Sequence, residues 1–221
     1  MRRFVRDNGL SLVMFALFGL FLLAQSVTGW HVYNDDHQDH GESQIAYGAY
    51  LRTGHFIEAT FENWESEYLQ MGAYVLFTVF LFQRGSSESK DPDKSEPVDE
   101  NPRQAKTDPD ASWPVRKGGI WLTLYEYSLT IALLLLFFFS FVLHAAGGAR
   151  EYSEEQLAHG GHAVSTLEFV RTDEFWFQSF QNWQSEFLAM GSIVVLSIFL
   201  RQRGSPESKP VAAPHAATGS G

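Results

Sequence analysis

The sequence predicts an all-α membrane fold of four transmembrane helices, built as two tandem helical hairpins of the same orientation. Three observations predict it: apolar residues gather into blocks of membrane-crossing length, the chain repeats itself, and basic residues collect at alternate ends of the blocks.

The first block, residues 9–29, is interrupted by polar side chains only at Ser11, Gln25, Ser26 and Thr28. At ~1.5 Å per residue it is long enough for a hydrocarbon core of ~30 Å. The same reading places spans at residues 64–82, 127–148 and 183–200. A mean hydropathy of -0.15 conceals these blocks, because long acidic segments dilute them. Residues 85–117 are rich in Ser, Pro, Asp, Glu and Lys and are expected to form a disordered cytoplasmic linker. The Pro- and Gly-rich tail, 204–221, is expected to be disordered as well. The first repeat then covers 1–84 with an outer loop at 30–63, and the second covers 118–203 with an outer loop at 149–182.

Orientation follows from Arg2, Arg3 and Arg6, then Arg84, then Arg116 and Lys117, then Arg201 and Arg203, which all fall on one side. Both termini are therefore expected in the cytoplasm, with two acidic loops facing outward across a plasma membrane. The Arg-rich start also fits a secretory signal cleaved near Ala24-Gln25-Ser26. Against that, the third span holds the equivalent place in the second copy, where no signal can lie.

A formal charge of -10 and the lack of a basic patch exclude nucleic acid as a partner. With no cysteine there are no disulfides, thiolate metal sites or thiol nucleophiles. A nucleotide-binding glycine loop, a metalloprotease helix motif and a serine-nucleophile elbow are also missing. No enzymatic activity and no cofactor are expected.

A shift of 119 positions aligns residues 9–90 with 128–209 without a gap, at about one-third identity. The densest match sets Phe61-Glu62-Asn63-Trp64-Glu65-Ser66-Glu67-Tyr68-Leu69-Gln70-Met71-Gly72 against Phe180-Gln181-Asn182-Trp183-Gln184-Ser185-Glu186-Phe187-Leu188-Ala189-Met190-Gly191. Gln-Arg-Gly-Ser follows each unit, at Gln83 and at Gln202. Each copy holds an even number of spans, so the copies share an orientation and are expected to relate by a pseudo-twofold axis along the membrane normal. A four-helix bundle is the natural arrangement. On the second span Asn63, Trp64, Glu67, Met71 and Val75 fall on one side of the helix, and that stripe is expected to meet Asn182, Trp183, Glu186, Met190 and Val195. Val194 is the strict match of Val75.

On these motifs the whole chain resembles an uncharacterised family of bacterial four-span integral membrane proteins, a domain of unknown function with the Asn-Trp-[Glu/Gln]-Ser-Glu-[Phe/Tyr]-Leu signature in both halves. The resemblance implies an inner-membrane location and an architecture, with no activity to transfer. The copies depart from each other at Glu65 against Gln184 and at Gln70 against Ala189, so a symmetric role is least expected at those two positions.

Glu67 and Glu186 are the sharpest candidates for polar or ion-handling work, since an acid inside a span is costly unless paired, hydrated or used. Asn63, Asn182, Ser66 and Ser185 are their expected hydrogen-bonding neighbours, and a structural or interfacial role ranks ahead of proton or cation handling. Trp64 and Trp183 are expected as interfacial anchors. The outer loops share a His-Gly step, His40-Gly41 and His159-Gly160. His31, His37 and His40 with Asp35 and Asp39 have the composition of a weak metal site. His37 aligns with Gln156 and Asp39 with Ala158, so a symmetric metal site fails. Short helices capped by Asn34 or Ser153 and ended by Gly41 or Gly160 account for those loops without a ligand. Thr53 and Thr172 are expected to cap the helices leading into spans two and four.

The first expectation for function is a non-enzymatic structural, envelope-associated or partner-binding component whose partners are the lipid bilayer and a second copy or another membrane protein. The second is a small proton or cation channel or transporter using Glu67 and Glu186. The third is a metal or pH sensor in the outer His/acid loop.

Overall fold

The computed structural model describes residues 2–219. Met1, the Arg2 side chain of the first basic cluster, and Ser220 and Gly221 of the tail lie outside the described residues. The described residues hold helices, turns and loops and no strand: α1 (Arg2–Asp7), α2 (Gly9–Asp39), α3 (Tyr47–Tyr50), α4 (Gly54–Phe77), α5 (Trp113–Lys117), α6 (Gly119–Glu126), α7 (Ser128–Ala158), α8 (Thr166–Phe169) and α9 (Asp173–Phe199).

The 119-residue shift reappears in the elements. α2 and α7 have the same bounds after the shift, and so do α3 and α8. Thr53 and Thr172 cap as expected: the Phe56 and Phe175 N–H groups donate to their hydroxyls, both at 3.3 Å. Gly41 and Gly160 end the long helices at φ 74° and 78°, a backbone region in which a side chain would be strained. Asn34 and Ser153 do not start helices. Both lie inside α2 and α7, whose helical hydrogen bonds leave their side chains free to hold the returning loops. Asn34 Oδ1 accepts from the Ile45 N–H at 2.7 Å, and Ser153 Oγ accepts from the Val164 N–H at 3.0 Å.

Among the described residues two helices, α2 and α7, are long and apolar enough to cross a membrane, rather than the four expected. α4 and α9 have the length, but their opening halves carry Glu58, Glu62, Glu65 and Glu67, and Asp173, Glu174 and Glu186. α4 also stops at Phe77, five residues short of the predicted 82, while α9 runs to Phe199. The ends differ chemically. Arg201 Nη1 donates to the carbonyls of Ser197 and Ile198 and so closes the last turn of α9. Its counterpart Phe82 has no donor to offer.

The chain divides into two compact units, each drawing on both sequence copies: residues 1–61 with 142–175, and 62–141 with 176–221. In the first unit α4 and α7 approach backbone to backbone. A Cβ placed on Gly147 would stand 2.6 Å from the Glu58 nitrogen, and one on Gly54 would stand 2.6 Å from the Gly147 oxygen. Buried Tyr50, Phe169 and Phe175 pack the same unit. In the second unit the two exits share one turn. Gly85 and Gly204 both adopt φ 85°, and the Ser89 and Ser208 hydroxyls accept from the Gln83 and Gln202 N–H groups, both at 2.9 Å. Lys209 is buried there, its ammonium donating to the carbonyls of Gly85, His215 and Ala217. Within residues 85–117 the chain forms 3₁₀ turns at Pro97–Asp99 and Pro102–Thr107 before α5. Lys117 then sits over the rings of Trp113 and Trp121, each at 4.6 Å.

Gly147→Ala is expected to destabilise the folded chain by ~1–3 kcal/mol through overpacking against α4. Gly19→Ala, where nothing lies within 4 Å, is expected to change stability by no more than ~1 kcal/mol, toward greater stability. Thermal unfolding of the two variants in detergent checks the contrast.

Candidate functional site

The residues shared by both copies do not form the enclosed stripe of α4. Asn63, Glu67 and Met71 are exposed, with Trp64 and Val75 half-buried. The buried side carries Gly54, Glu58, Glu65 and Gly72, spaced by four, seven and seven residues. Shared residues stand on both sides of α4, Ser66 and Gly72 on the buried one and Asn63, Glu67 and Met71 on the open one, and on α9 the shared Asn182, Trp183, Glu186 and Met190 are half-buried while Gln184 and Ala189, where the copies differ, are exposed.

In the second unit Glu65 is fully buried. Its Oε1 accepts from the Trp183 indole N–H at 3.1 Å and from the Ser179 hydroxyl at 3.3 Å. Trp183 is thus engaged inward, within a ring cluster that includes Trp176, Phe180 and Phe137. Gln70 is buried on the same helix, whereas Gln184 and Ala189, the counterparts of Glu65 and Gln70, are exposed. Ser66 and Ser185 donate to the carbonyls of Asn63 and Asn182, both at 2.8 Å, a local bond within each helix. The Asn182 amide likewise donates to Gln178 of its own helix at 3.2 Å. Glu186 is half-buried and close enough to Glu67 to feel its charge.

In the first unit polar residues collect where α2 and α7 end. The Tyr33 hydroxyl donates to Glu154 at 3.2 Å, and burial, with the charges of Glu154 and Glu151, raises its pKa. Glu151 Oε2 is sealed from solvent and accepts no hydrogen bond. Burial, followed by the charges of Glu154 and Glu58, pushes the Glu151 carboxyl from 4.5 up to about 7, against the lowering effect of the His55 N–H. The Asp36 carbonyl and then its carboxylate raise the pKa of His40, while burial lowers that of His55. His37 lies 3.4 Å from Glu42 and packs on the Tyr33 ring at 4.2 Å. His31 is exposed beside Trp30, apart from this group. Among the described residues no three His, Asp or Glu side chains converge to hold a metal ion.

Sequence reasoning passed over Glu65 and Glu151. For Glu65 a signal existed: it is one of the positions at which the copies differ, a carboxylate against the amide of Gln184. For Glu151 none did, because its counterpart Val32 is apolar and exposed.

These features define an all-helical chain with two helices of membrane-crossing length and enclosed carboxylates. The chain belongs to the family described as Domain of unknown function (DUF6766), whose model matches residues 1–220. No curated protein and no solved structure matches it.

Two outcomes are expected here. Trp183→Phe removes the indole donor to Glu65 and should cost ~1–3 kcal/mol in denaturant unfolding, without changing the helix content seen by circular dichroism. For Glu151, the folded chain holds a proton that the unfolded chain has released between pH 4.5 and about 7. Its stabilising contribution is complete below pH 4.5 and is lost as pH rises through about 7. Melting temperature should therefore fall across that window, and Glu151→Gln should flatten the fall. A variant profile parallel to the native one would contradict this.

Proposed function

We propose that this chain is a non-enzymatic integral protein of the inner (plasma) membrane, crossing it four times as two matched hairpins with both termini in the cytoplasm, and acting as a structural or partner-binding component. The observation that carries this reading is exposure. The most apolar window of α2 is only 6% buried and that of α7 22% buried. A core helix of a water-soluble domain would be covered by its neighbours, whereas these helices leave Leu, Phe and Val side chains uncovered around them. Hydrocarbon is the medium that accepts such a surface. α7 lies mid-chain, and the equivalence of its bounds with those of α2 favours a retained first span over a cleaved signal.

α4 and α9 join the spans in this reading because their starts match after the 119-residue shift and their enclosed acid is satisfied. Glu65 has its donors inside the protein, which removes most of the cost of placing it below the interface. The channel reading receives less support, because Glu67 is exposed on α4 rather than enclosed along a pathway. In a bilayer Glu67 and Glu186 suit the water-reached interface or a contact with a second copy.

The natural absence of cysteine makes topology directly measurable. Single cysteines at positions 35 and 154 are expected to react with a membrane-impermeant maleimide from outside intact cells, while those at 88 and 207 react only after permeabilisation. Labelling of 35 and 154 from opposite sides would overturn the four-span reading.

A further inference from the structure

The two exit turns share a backbone and differ in how their charges are met. In the first, Arg84 Nη1 pairs with Asp93 at 2.7 Å, and Lys90 pairs with Asp99 at 2.5 Å. The Gly85 N–H donates to the Thr218 hydroxyl at 2.9 Å, and the Ser86 hydroxyl bonds the Ser197 hydroxyl at 2.9 Å. Each cation has its acid there, and each donor has an oxygen.

The second turn keeps the donors and lacks the acids. Continued past the exits, the 119-residue shift sets Ala212 against Asp93 and Thr218 against Asp99. Among the described residues Arg203, the counterpart of Arg84, forms no ion pair, and the Gly204 N–H has no acceptor. The Ser205 hydroxyl accepts from the Glu207 N–H at 3.1 Å and keeps its own proton to donate. Lys209, the counterpart of Lys90, is buried, and its ammonium donates to carbonyls, so its charge is removed from water without an anion beside it. Arg201 lies close enough to Lys209 for the two charges to interact, and its guanidinium covers the last carbonyls of α9. Arg203, Gly204, Ser205 and Lys209 border one open cavity of about 790 Å³, and no Asp or Glu shares its wall. We propose that this cavity binds a phosphate group.

The first turn is the internal precedent, because there the same arginine holds a carboxylate and the same backbone N–H holds a hydroxyl oxygen. In the second turn a guanidinium, a backbone N–H and a hydroxyl stand on three successive residues. A phosphate, with oxygens in tetrahedral directions, meets donors on three residues where a planar carboxylate meets fewer. Its negative charge also compensates Lys209 and Arg203 together. Two sources present that group: a phospholipid head group at the end of α9, or phosphate free in solution. A head group rests on the membrane reading, whereas the phosphate site itself rests on the turn alone.

The test is calorimetric titration of the full chain in detergent at pH 7.5, with sodium phosphate as one probe and phosphatidylglycerol in mixed micelles as the other. Saturable binding of at least one probe is expected. Arg203→Gln should weaken it at least about tenfold, and so should Ala212→Asp, which gives Arg203 the acid that Arg84 has. Arg84→Gln, in the turn whose donors are already occupied, should leave the affinity unchanged. Arg203 is exposed, so its substitution should keep the native circular dichroism and melting temperature. Tighter binding of phosphatidylglycerol than of phosphate assigns the site to a lipid head group, and equal or weaker binding of the lipid assigns it to free phosphate. No saturable binding of either probe, an affinity unchanged by Arg203→Gln or by Ala212→Asp, or acetate binding as tightly as phosphate would each overturn the proposal. Neither probe needs an intact bilayer, so a failed titration leaves the cysteine-labelling result on topology standing, and the reverse holds as well.

Discussion

The close approach of α4 to α7 in the first unit is the constraint on which the rest depends. Two helices meet backbone to backbone only where side chains are missing, and Gly54, Gly147 and Gly148 supply that gap. The approach fixes the rotation of α4, and that rotation turns Glu58 inward near Gly148. Glu151, one turn beyond the glycine pair on α7, is brought beside the opening of α4, where the His55 N–H reaches it. Helix rotation decides which carboxylates are enclosed, and side-chain chemistry then has to satisfy them.

The equivalence between the copies is close in backbone and loose in environment. The bounds of α2 and α7 and of α3 and α8, the Thr caps, the loop-holding side chains and the exit turns recur after the same shift, and the caps and exit turns do so with equal hydrogen-bond lengths. Burial recurs only in part. Tyr50 and Phe169 are both buried, but Glu58 and Glu65 are buried while their counterparts Phe177 and Gln184 are exposed, and buried Ser140 and His144 correspond to exposed Phe21 and Gln25.

That division explains what was legible in the sequence. Two of the long apolar helices, the Thr caps and the glycine stops are local features set by composition, spacing and backbone preference, and the structure has them. Identity between the copies does not by itself mark the covered face of α4: Asn63, Glu67 and Met71 lie exposed, while Trp64 and Val75 are half-buried. Which of several helix faces is covered depends on distant partners, which no single helix encodes. The early end of α4 turns on a missing cap, Phe82 in place of an arginine, a difference visible in the alignment and easily passed over. Trp183 looked like a membrane anchor by composition, and only the fold shows its indole committed to Glu65.

The placement of Glu65 opposite Ser179 and Trp183 also bears on why two matching stretches of sequence share one polypeptide. A stretch encoded singly and paired with its twin would place the same residue at positions 65 and 184, enclosing two acids or none. Covalent linkage frees each half to change alone. One half keeps the acid, and the other supplies the indole and the hydroxyl that neutral hydrogen bonding requires.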